Sequence, residues 1–128
     1  MNDPAATRKR TRLITGAALI SWLGLLFHNW WDLPELTPLS PENSRPTLVF
    51  ILLFAAWRRW PQARLTAILL LLWGGVHLIG GGIGSVIPFD FWPFYPEQSL
   101  RHYLGHVVYS VTQLPLIVLM VEELRRRE

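Results

Sequence analysis

The feature that most constrains this chain is the distribution of its apolar residues, which come in four long blocks instead of alternating with polar ones. The blocks cover residues 13–31, 46–60, 65–87 and 102–121. A helix rises ~1.5 Å per residue and a hydrocarbon core is ~30 Å thick, so roughly 17–25 apolar residues make one crossing. Backbone amides inside a bilayer must bond within their own segment, and blocks of this length do so as helices. The expected fold is therefore an all-α membrane protein, a four-transmembrane-helix bundle. Of the 128 residues, 51% are hydrophobic and only 16% charged, with the charges between the blocks. That leaves too little polar chain for a separate soluble domain, so residues 1–128 read as one integral membrane domain. Cysteine is absent, which excludes disulfides, thiolate ligands and thiol catalysis.

The segments between the blocks give the topology. A basic run, RKRTR (residues 8–12), precedes the first block. The run resembles the start of a signal peptide, but the block is too long and ends in FHNWWD without a small-residue cleavage site. It reads as a retained helix, with Trp30 and Trp31 at the far interface. Residues 32–45 carry Pro34, Pro38 and Pro41 and read as an outer loop. The second block is the shortest: Pro46 suits a first helical position, but Arg58 and Arg59 close the apolar run early. It crosses only if those arginines snorkel or the bilayer thins. Residues 58–64 form a tight basic turn around Pro61. Residues 88–101 form a second outer loop, rich in aromatics and broken by Pro88, Pro93 and Pro96.

Charge asymmetry tests this arrangement independently. Ten of the twelve basic residues fall on one side: Arg8, Lys9, Arg10, Arg12, Arg58, Arg59, Arg64, Arg125, Arg126 and Arg127. Arg45 and Arg101 fall on the other, with Asp32, Glu35, Glu42, Asp90 and Glu97. Basic flanks stay cytoplasmic, so both termini are expected inside, in a bacterial plasma membrane. The basic balance then points to anionic lipid and needs no nucleic acid to explain it.

The candidate chemistry lies in histidines. Helix rise puts His77 roughly 20 Å from Arg64, His28 roughly 24 Å from Arg12, and His106 roughly 7 Å inside Arg101. Three helices thus carry an imidazole in the outer half, with His102 at the boundary above. His102, His106, Tyr109 and Gln113 follow spacings of four, three and four, forming one polar stripe on the fourth helix. Gly74, His77, Gly81 and Gly84 line one face of the third helix, where small residues admit a second backbone or a flat ligand. Both faces point to an interior site toward the outside.

Imidazole chemistry limits what such a site holds. A haem b between the third and fourth helices would take His77 and His106 as axial ligands, with Gly74 and Gly81 clearing room. A zinc site would use His77, His106 and either His28 or His102, with an open position for water. No HExxH motif supplies a zinc-hydrolase base, and HxxxH alone is weakly specific. The plain alternative is that the same groups are interhelical hydrogen-bonders and that there is no cofactor. Functionally, the first expectation is an accessory or structural component of a larger membrane complex or a homo-oligomer, with seven tryptophans and the aromatic outer loop as contact surface. The competing expectation is a haem- or metal-binding protein with redox or hydrolytic activity. A small transporter ranks third, because all nine acids lie in loops, tails or helix ends and none lies deep.

Overall fold

Four helices pack together in the computed structural model, which describes residues 4–127. The first, α1 (Pro4–Asp32), already includes the basic run. It is followed by α2 (Pro41–Arg59), α3 (Arg64–Val76) and α4 (Leu100–Arg125). Between α3 and α4 the chain continues as a π-helical stretch, His77–Ile83, and a 3-10 turn, Gly84–Val86. Among the described residues there is no strand. α1 packs chiefly on α4, α3 and the π stretch pack on another side of α4, and α2 lies against α1 and α3.

Three of these segments are long and apolar enough to cross a bilayer: Pro4–Asp32, Arg64–Val86 and Leu100–Arg125. α2 is the exception, so three spans are supported where four were expected. It starts at Pro41, five residues before the apolar block, with proline at a first-turn position that needs no N–H donor. The proline-rich outer segment expected over 32–45 is therefore helical in its last part. Glu42 and Arg45 near the start and Arg58 and Arg59 at the end leave only residues 46–57 uncharged. Those twelve residues reach ~18 Å as a helix, well short of a ~30 Å core.

Beside an apolar core that includes Leu70 and Leu116, this bundle buries polar groups and exposes large apolar ones. Ser21 and Gln113 are fully buried, whereas Leu52, Val76 and Ile79 are each more than 60% exposed. Water would penalise that arrangement on both counts, and a hydrocarbon surround favours it on both. The buried polar groups satisfy one another: Trp73 Nε1 donates to Ser21 Oγ at 3.0 Å, Ser21 Oγ donates to Gln113 Oε1, and Gln113 Nε2 donates to Ser21 O at 3.1 Å.

Small residues set how closely the helices approach. A Cβ at Gly24 would overlap the Thr112 hydroxyl, and one at Gly82 would overlap that of Ser110. These two positions bring α1 and the π stretch against α4 at backbone distance, as small-residue seams do where no hydrophobic effect drives helices together. A column of rings fills the interior between them. Centroid separations run 4.7 Å from His28 to Tyr109, 6.0 Å from Tyr109 to His77 and 4.0 Å from His77 to Trp73. They continue at 5.6 Å to Phe50, 5.7 Å to Phe54 and 5.9 Å to Trp57. The column links two polar ends, a histidine end and a basic end.

Candidate metal centre at the histidine end

The site begins with two helix termini. α1 ends at Asp32, one turn after His28, so both side chains lie on one face. α4 starts at Leu100, where Ser99 Oγ accepts from His102 N at 3.2 Å, and brings His102 and His106 onto a common face. The two termini are tied together. Trp31 Nε1 donates to Arg101 O at 2.9 Å, Arg101 Nη2 donates to Trp31 O, and the guanidinium lies 5.2 Å from the Trp31 ring centroid. Gly105 makes room for this, since a Cβ there would be 2.7 Å from Trp31 Cδ1.

Three side chains converge within this frame. His28 Nε2 lies 3.0 Å from His106 Nε2 and 3.1 Å from Asp32 Oδ2, and His106 Nε2 lies 3.5 Å from the same oxygen. His102 Nδ1 approaches that oxygen at 3.0 Å from the other side. All four side chains are largely buried; His106 retains only 5% of its side-chain exposure.

Surrounding hydrogen bonds fix which ring nitrogens carry protons. Asn43 Nδ2 donates to the Thr37 carbonyl at 2.8 Å, so Asn43 Oδ1 is the atom that accepts from Asn29 Nδ2, also at 2.8 Å. Asn29 Nδ2 donates to the Glu42 carbonyl as well, at 3.2 Å. Asn29 Oδ1 is therefore an acceptor, and His28 Nδ1, 3.1 Å away, must donate to it. His106 Nδ1 lies 3.1 Å from the Gly82 carbonyl and must likewise donate. That carbonyl sits in the last turn of the π stretch, where helix carbonyls run out of intrahelical partners.

A neutral imidazole has one N–H. With both Nδ1 atoms protonated, both Nε2 atoms present lone pairs, and they face each other and a carboxylate oxygen. Asp32 Oδ2 is buried and accepts no hydrogen bond among the described residues. Two imidazole lone pairs and a carboxylate oxygen thus share one small space, and the ring nitrogen free to donate there is His102 Nδ1, 3.0 Å from Asp32 Oδ2. Zinc bonds of ~2.0–2.1 Å at tetrahedral angles put neighbouring ligand atoms ~3.3 Å apart, and the observed separations bracket that value. The backbone carbonyl behind His106 and the amide behind His28 are the kind of partners that orient metal-binding imidazoles.

The histidines expected from sequence divide into two groups. His28, His102 and His106 meet at this end. His77 lies apart, one step down the ring column, where its Nδ1 pairs with the Tyr109 hydroxyl and its ring packs on Trp73. Tyr109 stacks on His28 and so separates His77 from the cluster. Gln113 is engaged with Ser21, Tyr109 O and Thr112. Gly74 and Gly81 face Ile117 and Tyr109, so side chains of α4 fill the seam they line. Asp32, an acid of the expected outer loop, and the orienting pair Asn29 and Asn43 lie outside the residues that the sequence singles out. His28 and Asp32 at i and i+4 were the available signal. Comparison of the chain with protein-family models, with curated proteins and with solved structures finds no match.

Proposed function

We propose that this is a membrane protein that binds a divalent metal of the zinc type at the histidine end, through His28 Nε2, His106 Nε2 and Asp32 Oδ2. The observation that carries the reading is the confrontation of two lone pairs and a carboxylate oxygen, with tautomers set by Asn29 and Gly82. Two imidazoles and a carboxylate are borderline-hard donors suited to Zn²⁺ and neighbouring first-row ions. Three protein ligands leave a fourth position for water, the pattern of catalytic sites, and metal-bound water is a nucleophile near neutral pH. Hydrolytic chemistry is the corresponding activity. His102, whose Nε2 is buried without a partner among the described residues, is the remaining base of the cluster.

The haem alternative, with His77 and His106 as axial ligands, has less support. Tyr109 engages His77, His106 Nε2 is directed at His28, and α4 fills the glycine seam. The accessory-subunit reading keeps one observation in its favour: Phe91 and Tyr95 of the outer loop are both more than 70% exposed. Charge asymmetry favours placing the histidine end outside and both termini in the cytoplasm.

The test uses the full chain purified in neutral detergent, stripped with chelator and titrated with Zn²⁺ by calorimetry and Co²⁺ by visible absorption. One ion per chain with tetrahedral Co²⁺ bands, both lost in Asp32→Asn, supports the site. No saturable binding below millimolar metal overturns it; the space is then filled by a proton, as a charged imidazole against Asp32. An absorbance scan separates the haem alternative, which requires a Soret band that disappears in His77→Ala.

A further inference from the structure

At the opposite end of the molecule a cleft of about 530 Å³ opens between the start of α1, the turn joining α2 to α3, and the end of α4. Its charged lining is Lys9, Arg10, Arg126 and Arg127 against Glu122 and Glu123. The two arginines that meet Glu123 differ in what remains free. Arg127 is fully committed: it donates to Glu123 Oε1 through Nε at 3.0 Å, to Gln62 O at 2.8 Å and to Pro61 O at 2.5 Å. Arg10 donates to Glu123 through Nε, but its Nη2 is buried and has no acceptor among the described residues. A buried guanidinium N–H without an acceptor is costly, and this one borders an open cleft. Lys9 and Arg126 are exposed in the same cleft and make no ion pair among the described residues. With Glu123 already shared by two arginines, the cleft keeps an excess of positive charge.

We propose that this cleft binds a phosphate group, carried by the headgroup of an anionic phospholipid, with Arg10 Nη2 as its buried donor and Lys9 and Arg126 as flanking cations. Phosphate offers several acceptor oxygens to a planar guanidinium, which is why arginine recurs at such sites. The lipid source follows from the position of the cleft. Leu13 and Leu119 line it alongside the charges, where the apolar surface of α1 and α4 gives way to the basic end. A headgroup seated there keeps its acyl chains against that apolar surface, whereas a free phosphate gains nothing from it. Glu122, exposed in the cleft, opposes the anion. This inference is independent of the metal centre and rests only on the chain lying in a membrane.

The experiment is native mass spectrometry of the full chain with phosphatidylglycerol and phosphatidylcholine in turn, alongside thermal shifts with inorganic phosphate in neutral detergent. The wild type is expected to retain phosphatidylglycerol at least tenfold over phosphatidylcholine. Arg10→Gln is expected to abolish that preference. Because Arg10 also pairs with Glu123, Lys9→Gln, outside the ion pair, serves as the second variant and is expected to cut retention several-fold. Glu122→Gln is expected to raise it. A thermal shift from inorganic phosphate equal to that from phosphatidylglycerol, and lost in Lys9→Gln, keeps the phosphate site but overturns the lipid as its source. Equal retention of the two lipids with no phosphate shift, or a preference unchanged in both Arg10→Gln and Lys9→Gln, overturns the proposal.

Discussion

The two polar ends are built from similar numbers of buried or half-buried titratable groups, yet they are satisfied in opposite ways. At the basic end, Glu123 accepts from Arg10 and Arg127, and Arg127 goes on to hold the carbonyls of Pro61 and Gln62. Donors face acceptors there, Arg10 Nη2 excepted, and the cluster fastens α1 and the α2–α3 turn to α4. At the histidine end the frame is equally well fastened, through Trp31 with Arg101 and through Asn29 with Asn43. Its centre is not: two lone pairs and a carboxylate oxygen face one another. The difference teaches that burial and charge do not mark a functional site by themselves. What marks it is a set of groups whose hydrogen bonds all point outward and leave like-natured atoms at the middle.

Breaking the histidine end gives the largest effect expected. Asp32→Asn removes a ligand and introduces an amide N–H that can donate to the facing lone pairs. Zn²⁺ affinity should fall at least a thousandfold by calorimetry, while the metal-free protein melts no lower than the wild type. If a charged imidazole occupied the site instead, the same change would remove its counter-ion and lower the melting temperature, so the sign of the shift separates the two. Asn29→Leu leaves all ligands in place but frees the His28 ring, and a loss of roughly 10–100-fold in metal affinity is expected from an orienting group of this kind. A fall of less than twofold would show that the tautomer argument fails.

Acidification sharpens the same contrast. Each imidazole must be deprotonated to bind metal, so affinity should fall on acidification, with up to two protons taken up per ion released. A pH-independent affinity would exclude the two-histidine ligand set. The smallest effect is at the basic end. Glu123→Gln removes the shared partner of two arginines and should cost about 2 kcal/mol of stability, read as a lower melting temperature. Zn²⁺ affinity should not change, because the clusters share no partner and distant sites act additively. Any change in metal affinity would mean that the ends are coupled through the ring column.

The helices and their apolar surfaces were legible because membrane burial is a property of composition over a window, and three of the four blocks are long enough to read that way. α2 was the block with the weakest signal, and its charges explain why it falls short. The stripe His102, His106, Tyr109 and Gln113 was also legible from helical period alone, and three of its members are buried. Its partners were not. Asp32 differs from Glu35 and Glu42 in sequence only by its i, i+4 spacing from His28, and that spacing carries meaning only once α1 is seen to continue through it.

The sequence by itself determined that helices form, where their apolar stretches run and which faces carry polar groups, since these follow from local periodicity and the cost of an unpaired backbone in hydrocarbon. Only the tertiary structure decided that His106 meets His28 and Asp32 while His77 is held by Tyr109 one layer away. That choice depends on how α1 and the π stretch are rotated and set against α4, by contacts such as Gly24 with Thr112 and Gly82 with Ser110. Pairings between segments 78 residues apart, such as His28 with His106, leave no periodic trace in the chain.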